Sequence, residues 1–268
     1  MAEFVYEPLP DPEAYLARMN YTGSRERNRE TLNALVYAHQ CSIPFENLSC
    51  CDYGEPVVLD IPSLYDKIVN RRRGGYCFEL NGIFAALLWA LGFDAYSTMC
   101  RLARSDELRP VMHRGVVVRL DGKRYFCDVG YGGPMAPFAI ELSPERHTFY
   151  GETFWIDESA DGWWRVSRRR GAGHPIGEDG SAEPEDVVVA FFTLSAFLDQ
   201  DFAPLSYQCS AIPTSGFVTR RWANLRTADG YLSLINEELT EVHNGVKTVT
   251  QLDDVPAVLR ERFGLEKR

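Results

Sequence analysis

Apolar positions in the first ninety or so residues recur at helical spacing. Leu32, Leu35, Val36 and His39 fall at i, i+3, i+4 and i+7 and describe one buried helix face. Asp11 followed by Pro12 reads as an N-cap with a first-turn proline, and Ser24 as a second helix start. Leu64, Ile68 and Val69 predict a further helix after Pro62. From about Cys77 to Leu91 the chain is apolar on most sides and halts at Gly92, which predicts the central buried helix.

From Ala95 to about Leu194 the pattern changes to short β-rich runs punctuated by Gly, Asp and Pro, as in an antiparallel sheet or barrel. Asp121-Gly122 joins the run from His113 to Leu120 with the run from Lys123 to Asp128, a type I′ hairpin signal. Asp161-Gly162 does the same between Phe154-Trp155-Ile156 and Trp163 to Val166. Arg168 to Glu185, rich in Gly, Pro and acidic residues, is predicted to be a loop. Leu194 to Leu205 reads as a helix packed on the barrel. Further on, Phe217–Trp222 and Tyr231–Ile235 flank Asp229-Gly230 as another strand pair, and Val258, Leu259 and Phe263 mark a closing helix.

Composition narrows the class of protein. With 268 residues, 45% hydrophobic and 25% charged, the chain can bury a substantial core without a metal or disulfide. A net charge of −10 repels nucleic acid, and the basic runs Arg71–Arg73 and Arg168–Arg170 are too short to reverse that. Either run could meet the phosphates of a nucleotide-bearing ligand, though a solvated helix end or strand edge is the simpler reading. The N-terminal residues lack the regions of a signal peptide, and no run approaches the roughly 18 apolar residues of a membrane span, so a cytoplasmic, membrane-free protein is expected. The seven cysteines show no C-x-x-C spacing and read as reduced thiols, with Cys127 facing the core.

Chemistry concentrates where glycine meets helix, in Arg73-Gly74-Gly75-Tyr76-Cys77-Phe78-Glu79-Leu80-Asn81. A helix start offers unpaired N–H groups and partial positive charge, which favour a thiolate at Cys77. The hairpin through Asp121-Gly122 brings His113 near Asp128, and a carboxylate on one imidazole nitrogen leaves the other to take a thiol proton. Each residue alone also fits a structural role: Cys77 as core filler, His113 at a strand end, Asp128 as a turn former. Their conjunction points to a Cys-His-Asp triad. An acyltransferase, a thioesterase and a cysteine peptidase all use such a set, and a non-catalytic binding protein would have no need of it.

The nucleophile motif, together with His39-Gln40-Cys41-Ser42-Ile43-Pro44-Phe45-Glu46-Asn47-Leu48, His113, Asp128-Val129-Gly130-Tyr131-Gly132 and the set Ser210, Pro213, Ser215, Phe217, resembles the arylamine N-acetyltransferases. The resemblance implies an α+β fold with a cysteine-protease-like core: a helical bundle over 1–93, a central antiparallel β-barrel over 94–200 and an α/β lid over 201–268. It implies catalysis by Cys77, His113 and Asp128, with Phe45 and Tyr131 lining the acceptor pocket. Gly130, Gly132, Thr214 and Ser215 are the implied coenzyme A contacts, and Arg73 pairs with Glu46. Acetyl-coenzyme A is the implied donor and an arylamine or hydrazine the acceptor, without a metal or tightly bound cofactor. The chain departs from the family where an asparagine and a tyrosine are usual, at Ser206 and Gln208. Those departures suit a related amide synthase with a different acyl thioester.

Overall fold

The computed structural model describes residues 7–104, 107–133, 135–170 and 185–265. Helix α1 (Pro12–Arg18) begins as its sequence predicts, with the Asp11 carboxylate accepting from Glu13 and Ala14 N–H. Helix α2 (Arg29–Ser42) does not start at Ser24. Its cap is Asn28, whose Oδ1 accepts from Thr31 N–H at 2.8 Å, while the Ser24 hydroxyl serves Glu26 N–H in the preceding turn. Strand β1 (Phe45–Glu46), α3 (Leu48–Cys51), α4 (Ile61–Tyr65) and a π-helical turn (Asp66–Asn70) lead to α5 (Cys77–Ala90). Gly92, at φ 84°, ends that helix.

An antiparallel sheet of eight strands follows: β2 (Asp94–Arg104), β3 (Glu107–Leu120), β4 (Lys123–Cys127), β5 (Ile140–Glu141), β6 (His147–Phe149), β7 (Glu152–Glu158), β8 (Trp164–Arg170) and β9 (Glu185–Phe192). Its order, β5-β4-β3-β2-β9-β8-β7-β6, curls into a nearly closed barrel, and Ile156 N–H donates to Ser143 O across the gap at 3.1 Å. The loop expected over Arg168–Glu185 is corrected at its ends, because Arg168 pairs with Val187 and Arg170 with Glu185; positions 171–184 lie outside the described residues. Arg169 is taken up by Asp186 at 3.0 Å, and Arg71 by Asp66 at 3.0 Å.

The last part contains α6 (Asp199–Ser210), α7 (Gly216–Thr219), β10 (Trp222–Thr227), β11 (Gly230–Ile235), β12 (Glu238–His243), β13 (Val246–Gln251) and α8 (Val255–Phe263). The strand expected at Phe217–Trp222 is a short helix up to Thr219, because Ser215 caps Phe217 N–H with its hydroxyl; the strand starts only at Trp222. A second sheet runs β1-β10-β11-β12-β13, so a two-residue strand from the N-terminal part, Phe45↔Asn224 and Glu46↔Ala223, extends the C-terminal one. The hairpin β12–β13 turns at Asn244-Gly245, both at positive φ.

Helix α5 is the common core element. Leu80, Ile83, Phe84, Leu87 and Leu88 have no exposed surface, and they share one apolar cluster with Leu32 and Leu35 of α2, Val116 and Val118 of β3, and Phe202 and Cys209 of α6. Full burial of such side chains contributes roughly 1.5–3 kcal/mol each.

His39 sits inside this cluster, its Nε2 paired with Tyr15 OH at 2.9 Å. Burial first, and Arg18 second, depress its pKa from the ordinary 6.5 to about 3. A depressed histidine stabilises the fold fully above its unfolded pKa and loses that contribution as pH falls, by about 1.4 kcal/mol per pH unit. The urea midpoint is therefore expected to drop faster between about pH 6.5 and pH 5 in the wild type than in His39→Gln, which does not titrate. Equal slopes would show that His39 is not buried neutral.

Candidate active site

Cys77 is the first residue of α5, and Tyr76 ahead of it is extended at φ −105°, ψ −173°. Tyr76 N–H donates to Glu79 Oε2 at 3.1 Å, closing the first turn on itself. The remaining oxygen of Glu79 binds Lys67 Nζ at 2.7 Å. Across the turn, Arg73 places Nε and Nη2 on Glu46 Oε1 at 3.1 and 2.8 Å, the pairing implied from the sequence, and Glu46 Oε2 accepts from Leu48 N–H at 2.7 Å. Burial opposes charge on Glu46, yet Lys67 and Arg73 more than offset it and hold that carboxyl below its usual range. At Glu79 burial wins and raises it. The glycine turn is thus bracketed by buried charges that fix where α5 begins.

The β3–β4 hairpin supplies the other two residues. Its register runs from Leu120↔Lys123 to Val116↔Cys127, and Asp121 and Gly122, at φ 50° and 75°, make the expected tight turn. His113 and Asp128 lie just beyond its open end, with Nε2 to Oδ2 at 2.6 Å. Both are about as buried as a core residue, at 1% and 2% exposed, and Cys77 is 4% exposed. Burial pulls the His113 pKa down, but the Asp128 carboxylate, then the Cys77 sulfur, which also hydrogen-bonds the ring, raise it to about 10. Imidazolium is therefore the neutral-pH form, and Nδ1 is the nitrogen left for Cys77. The remaining cysteines are held as thiols by burial, with Cys51 pushed up to about 11 and Cys209 to about 12.

Asn81 lies within the nucleophile motif, and the sequence alone assigns it no task. It stands one turn after Cys77 on the same face of α5. Its Nδ2 donates to Asp128 Oδ1 at 2.8 Å and to Arg114 O at 2.6 Å, and its Oδ1 accepts from Val129 N–H at 2.9 Å. Gly130 N–H adds a further bond to Asp128 Oδ1 at 2.9 Å. Asp128 is thereby locked to the helix that carries Cys77. Only the side-chain amide at i+4 from the cysteine could have signalled this.

The other predicted residues divide into two groups. Phe45 and Tyr131 flank the triad: the Tyr131 ring meets His113 edge-on at 6.1 Å, and Phe45 packs 6.5 Å from Phe217. Gly130 and Gly132 are there because nothing larger fits. A Cβ on Gly130 would lie 2.9 Å from Cys77 Cα, and one on Gly132, at φ 72°, 2.8 Å from the Phe45 ring. Thr214 and Ser215 sit further out, Thr214 exposed and Ser215 spent on capping α7, next to Phe217, whose ring lies 5.4 Å from Tyr76. Ser206 is buried with its hydroxyl against Tyr76 OH, one residue from the nucleophile, whereas Gln208 is exposed. Among the described residues, no three His, Cys, Asp or Glu side chains are grouped to hold a metal ion.

A family model described as N-acetyltransferase matches residues 28–267. The chain is 31% identical over 260 residues to the arylamine N-acetyltransferase of Escherichia coli K12, covering 94% of this chain and 87% of the relative. It is similar to the solved arylamine N-acetyltransferase of Mycobacterium tuberculosis at TM-score 0.85 and 29% identity, over 96% of this chain and 97% of that one. The Mycobacterium marinum enzyme of the same name, solved in complex with CoA, matches at TM-score 0.84 and 29% identity, over 95% and 93%.

Two outcomes are expected from this geometry. Asn81→Ala leaves Asp128 short of a buried donor worth about 1–3 kcal/mol, so Cys77 reactivity should fall roughly 10- to 100-fold while the protein remains folded by circular dichroism. Unchanged reactivity would remove Asn81 from the site. Because the imidazolium persists to about pH 10, the NMR shifts of the His113 ring should stay constant between about pH 6 and pH 8, where an ordinary imidazole loses its proton.

Proposed function

Because this chain belongs to the arylamine N-acetyltransferase family, we propose that Cys77 carries an acetyl group from acetyl-coenzyme A to an arylamine or hydrazine by a ping-pong route. The observation that carries this reading is the buried His113–Asp128 hydrogen bond beside a cysteine at the first position of α5. Coenzyme A as the donor's carrier draws support from the CoA complex of the mycobacterial relative.

Cys77 Sγ, as thiolate, attacks the thioester carbonyl; the bond to the coenzyme A sulfur breaks, and His113 gives its proton to that sulfur. Glu79 and Leu80 N–H are already spent on Tyr76 O at 3.0 and 2.9 Å, so the oxyanion falls to the Cys77 N–H at the positive end of α5. An aromatic amine is neutral at pH 7 and its lone pair is free. It attacks acetyl-Cys77, neutral His113 takes the amine proton, and the thiolate–imidazolium pair returns. Asp128 keeps Nε2 occupied throughout, so Nδ1 handles every proton. Thioester exchange is nearly balanced in free energy, and amide formation gives the cycle its direction. Phe45 and Tyr131 serve as the acceptor walls, and Gly130 and Gly132 let the backbone after Asp128 close on Cys77 and on the Phe45 ring.

Intact-protein mass spectrometry after mixing with acetyl-coenzyme A tests the route. One acetyl group is expected on Cys77, cleared on adding an aniline with amide as product, and none on Cys77→Ala. Asp128→Asn should lose on the order of 10⁴ in rate through the wrong imidazole tautomer. An acetyl-enzyme that hydrolyses as fast without amine as with it would make the protein a thioesterase. Absence of any adduct on an alkylatable thiol would point to a different acyl thioester.

A further inference from the structure

The segment from Asp128 to Ala136 carries the triad aspartate at one end and Tyr131, an acceptor wall, with Gly132 beside it, in its middle. Its described residues belong to no helix or strand, and several of their carbonyls are bound by side chains brought from elsewhere. Gln40 Nε2, on α2, donates to Asp128 O and to Ala136 O, both at 2.9 Å. Asn224 Nδ2 donates to Gly132 O at 2.9 Å, and Arg226 Nη2 to Met135 O at 2.6 Å. Asn224 and Arg226 are two apart on β10 and therefore share one face of it.

Arg226 is itself held. Its Nε donates to Gln40 Oε1 at 2.8 Å and its Nη1 to Glu152 Oε1 at 2.5 Å; the two charged side chains are 9% and 1% exposed. A buried, hydrogen-bonded ion pair of this kind fixes geometry more than it adds stability. Between the segment and β10 lies an open cleft lined by Gln40, Tyr131, Met135, Asn224 and Arg226 among others, so these side chains border the same space.

The two parts of the segment lean mainly on different elements, with Gln40 linking Asp128 O to Arg226. The Asp128 carboxylate is oriented by Asn81 of α5 and by Gly130 N–H. The Gly132 and Met135 carbonyls are held by β10, from the opposite end of the chain. We propose that Asn224 and Arg226 are positioning residues that hold Tyr131 and Gly132 against Phe45, and so select ring-bearing amines without affecting acetylation of Cys77. This rests on the acetyl-transfer reading above. A hydrazine, which has no ring to seat, does not depend on that wall.

Two variants test it. Asn224→Ala removes one hydrogen bond and no charge. Arg226→Met combined with Glu152→Met removes both buried charges together, so neither is left unpaired. For each, the rate of Cys77 acetylation by acetyl-coenzyme A without acceptor is measured by intact mass, and kcat and KM are measured for a para-substituted aniline and for hydrazine. Acetylation and hydrazine turnover are expected to stay within about twofold, while the aniline KM rises about tenfold or more. An unchanged aniline KM in both variants overturns the proposal. So does a parallel fall in acetylation, hydrazine and aniline turnover, which would mean these side chains only support the scaffold. Failure of the acetyl-transfer reading is distinct from either, since the wild type would then take up no acetyl group.

Discussion

Asp128 is a carboxylate with almost no contact with water, and such a group stays charged only if its surroundings replace the lost hydration. Three donors do so, from three directions: the His113 ring on the strand before it, the Asn81 amide on the nucleophile helix, and the Gly130 N–H in its own turn. The same bonds also define the distance between a helix and a hairpin that share no sequence neighbourhood. The imidazolium follows from this anchor. With Asp128 charged and fixed, His113 keeps its proton to about pH 10 despite complete burial, and the sulfur of Cys77 faces a cation.

Charge is also what sets the nucleophile turn. Glu46, Lys67, Arg73 and Glu79 form a chain of pairs under it, at 9% side-chain exposure or less. Desolvating such groups costs several kcal/mol each, so hydrophobic replacement of the whole set would be near neutral for stability, and breaking one pair would be severe. Their retention makes sense for position. Backbone N–H groups at Tyr76 and Leu48 close on Glu79 and Glu46, which ties the start of α5 and the end of β1 to the same charges. Arg114 plays a comparable part beside His113, reaching Ser97 on β2, Phe78 O on α5 and Asp199 on α6 at 2.5 Å.

The C-terminal sheet has a different relation to the chemistry. It contributes no triad residue, yet β1 joins it, and β10 shapes the backbone beyond Asp128. Helix α6 closes the other side through the Ser206 hydroxyl on Tyr76, so the sequence departure at Ser206 lies one residue from the nucleophile, while that at Gln208 lies on the surface.

Much of the site was legible because it is local. A cysteine at a glycine-to-helix boundary and a histidine and aspartate straddling an Asp-Gly hairpin are relations across a few residues, governed by helix-start electrostatics and by period-two register. The central helix was equally plain from its apolar run. Local signals misled where a competing cap was present: Asn28 rather than Ser24 starts α2, and Ser215 turns the β-branched, aromatic Phe217–Thr219 into a helix. The Asn244-Gly245 hairpin carried its signal but went unread. Sequence alone placed Cys77 at a helix start and His113 beside Asp128 at a hairpin end, because residue type and short spacing suffice for that. Asn81 against Asp128, Arg226 against Glu152 and Met135, and Ser206 against Tyr76 are bonds between residues 47 to 130 positions apart, or in Arg226's case 74 and 91. Only the tertiary structure decided these, because a hydrogen bond across such a separation exists only once packing has brought its two elements together.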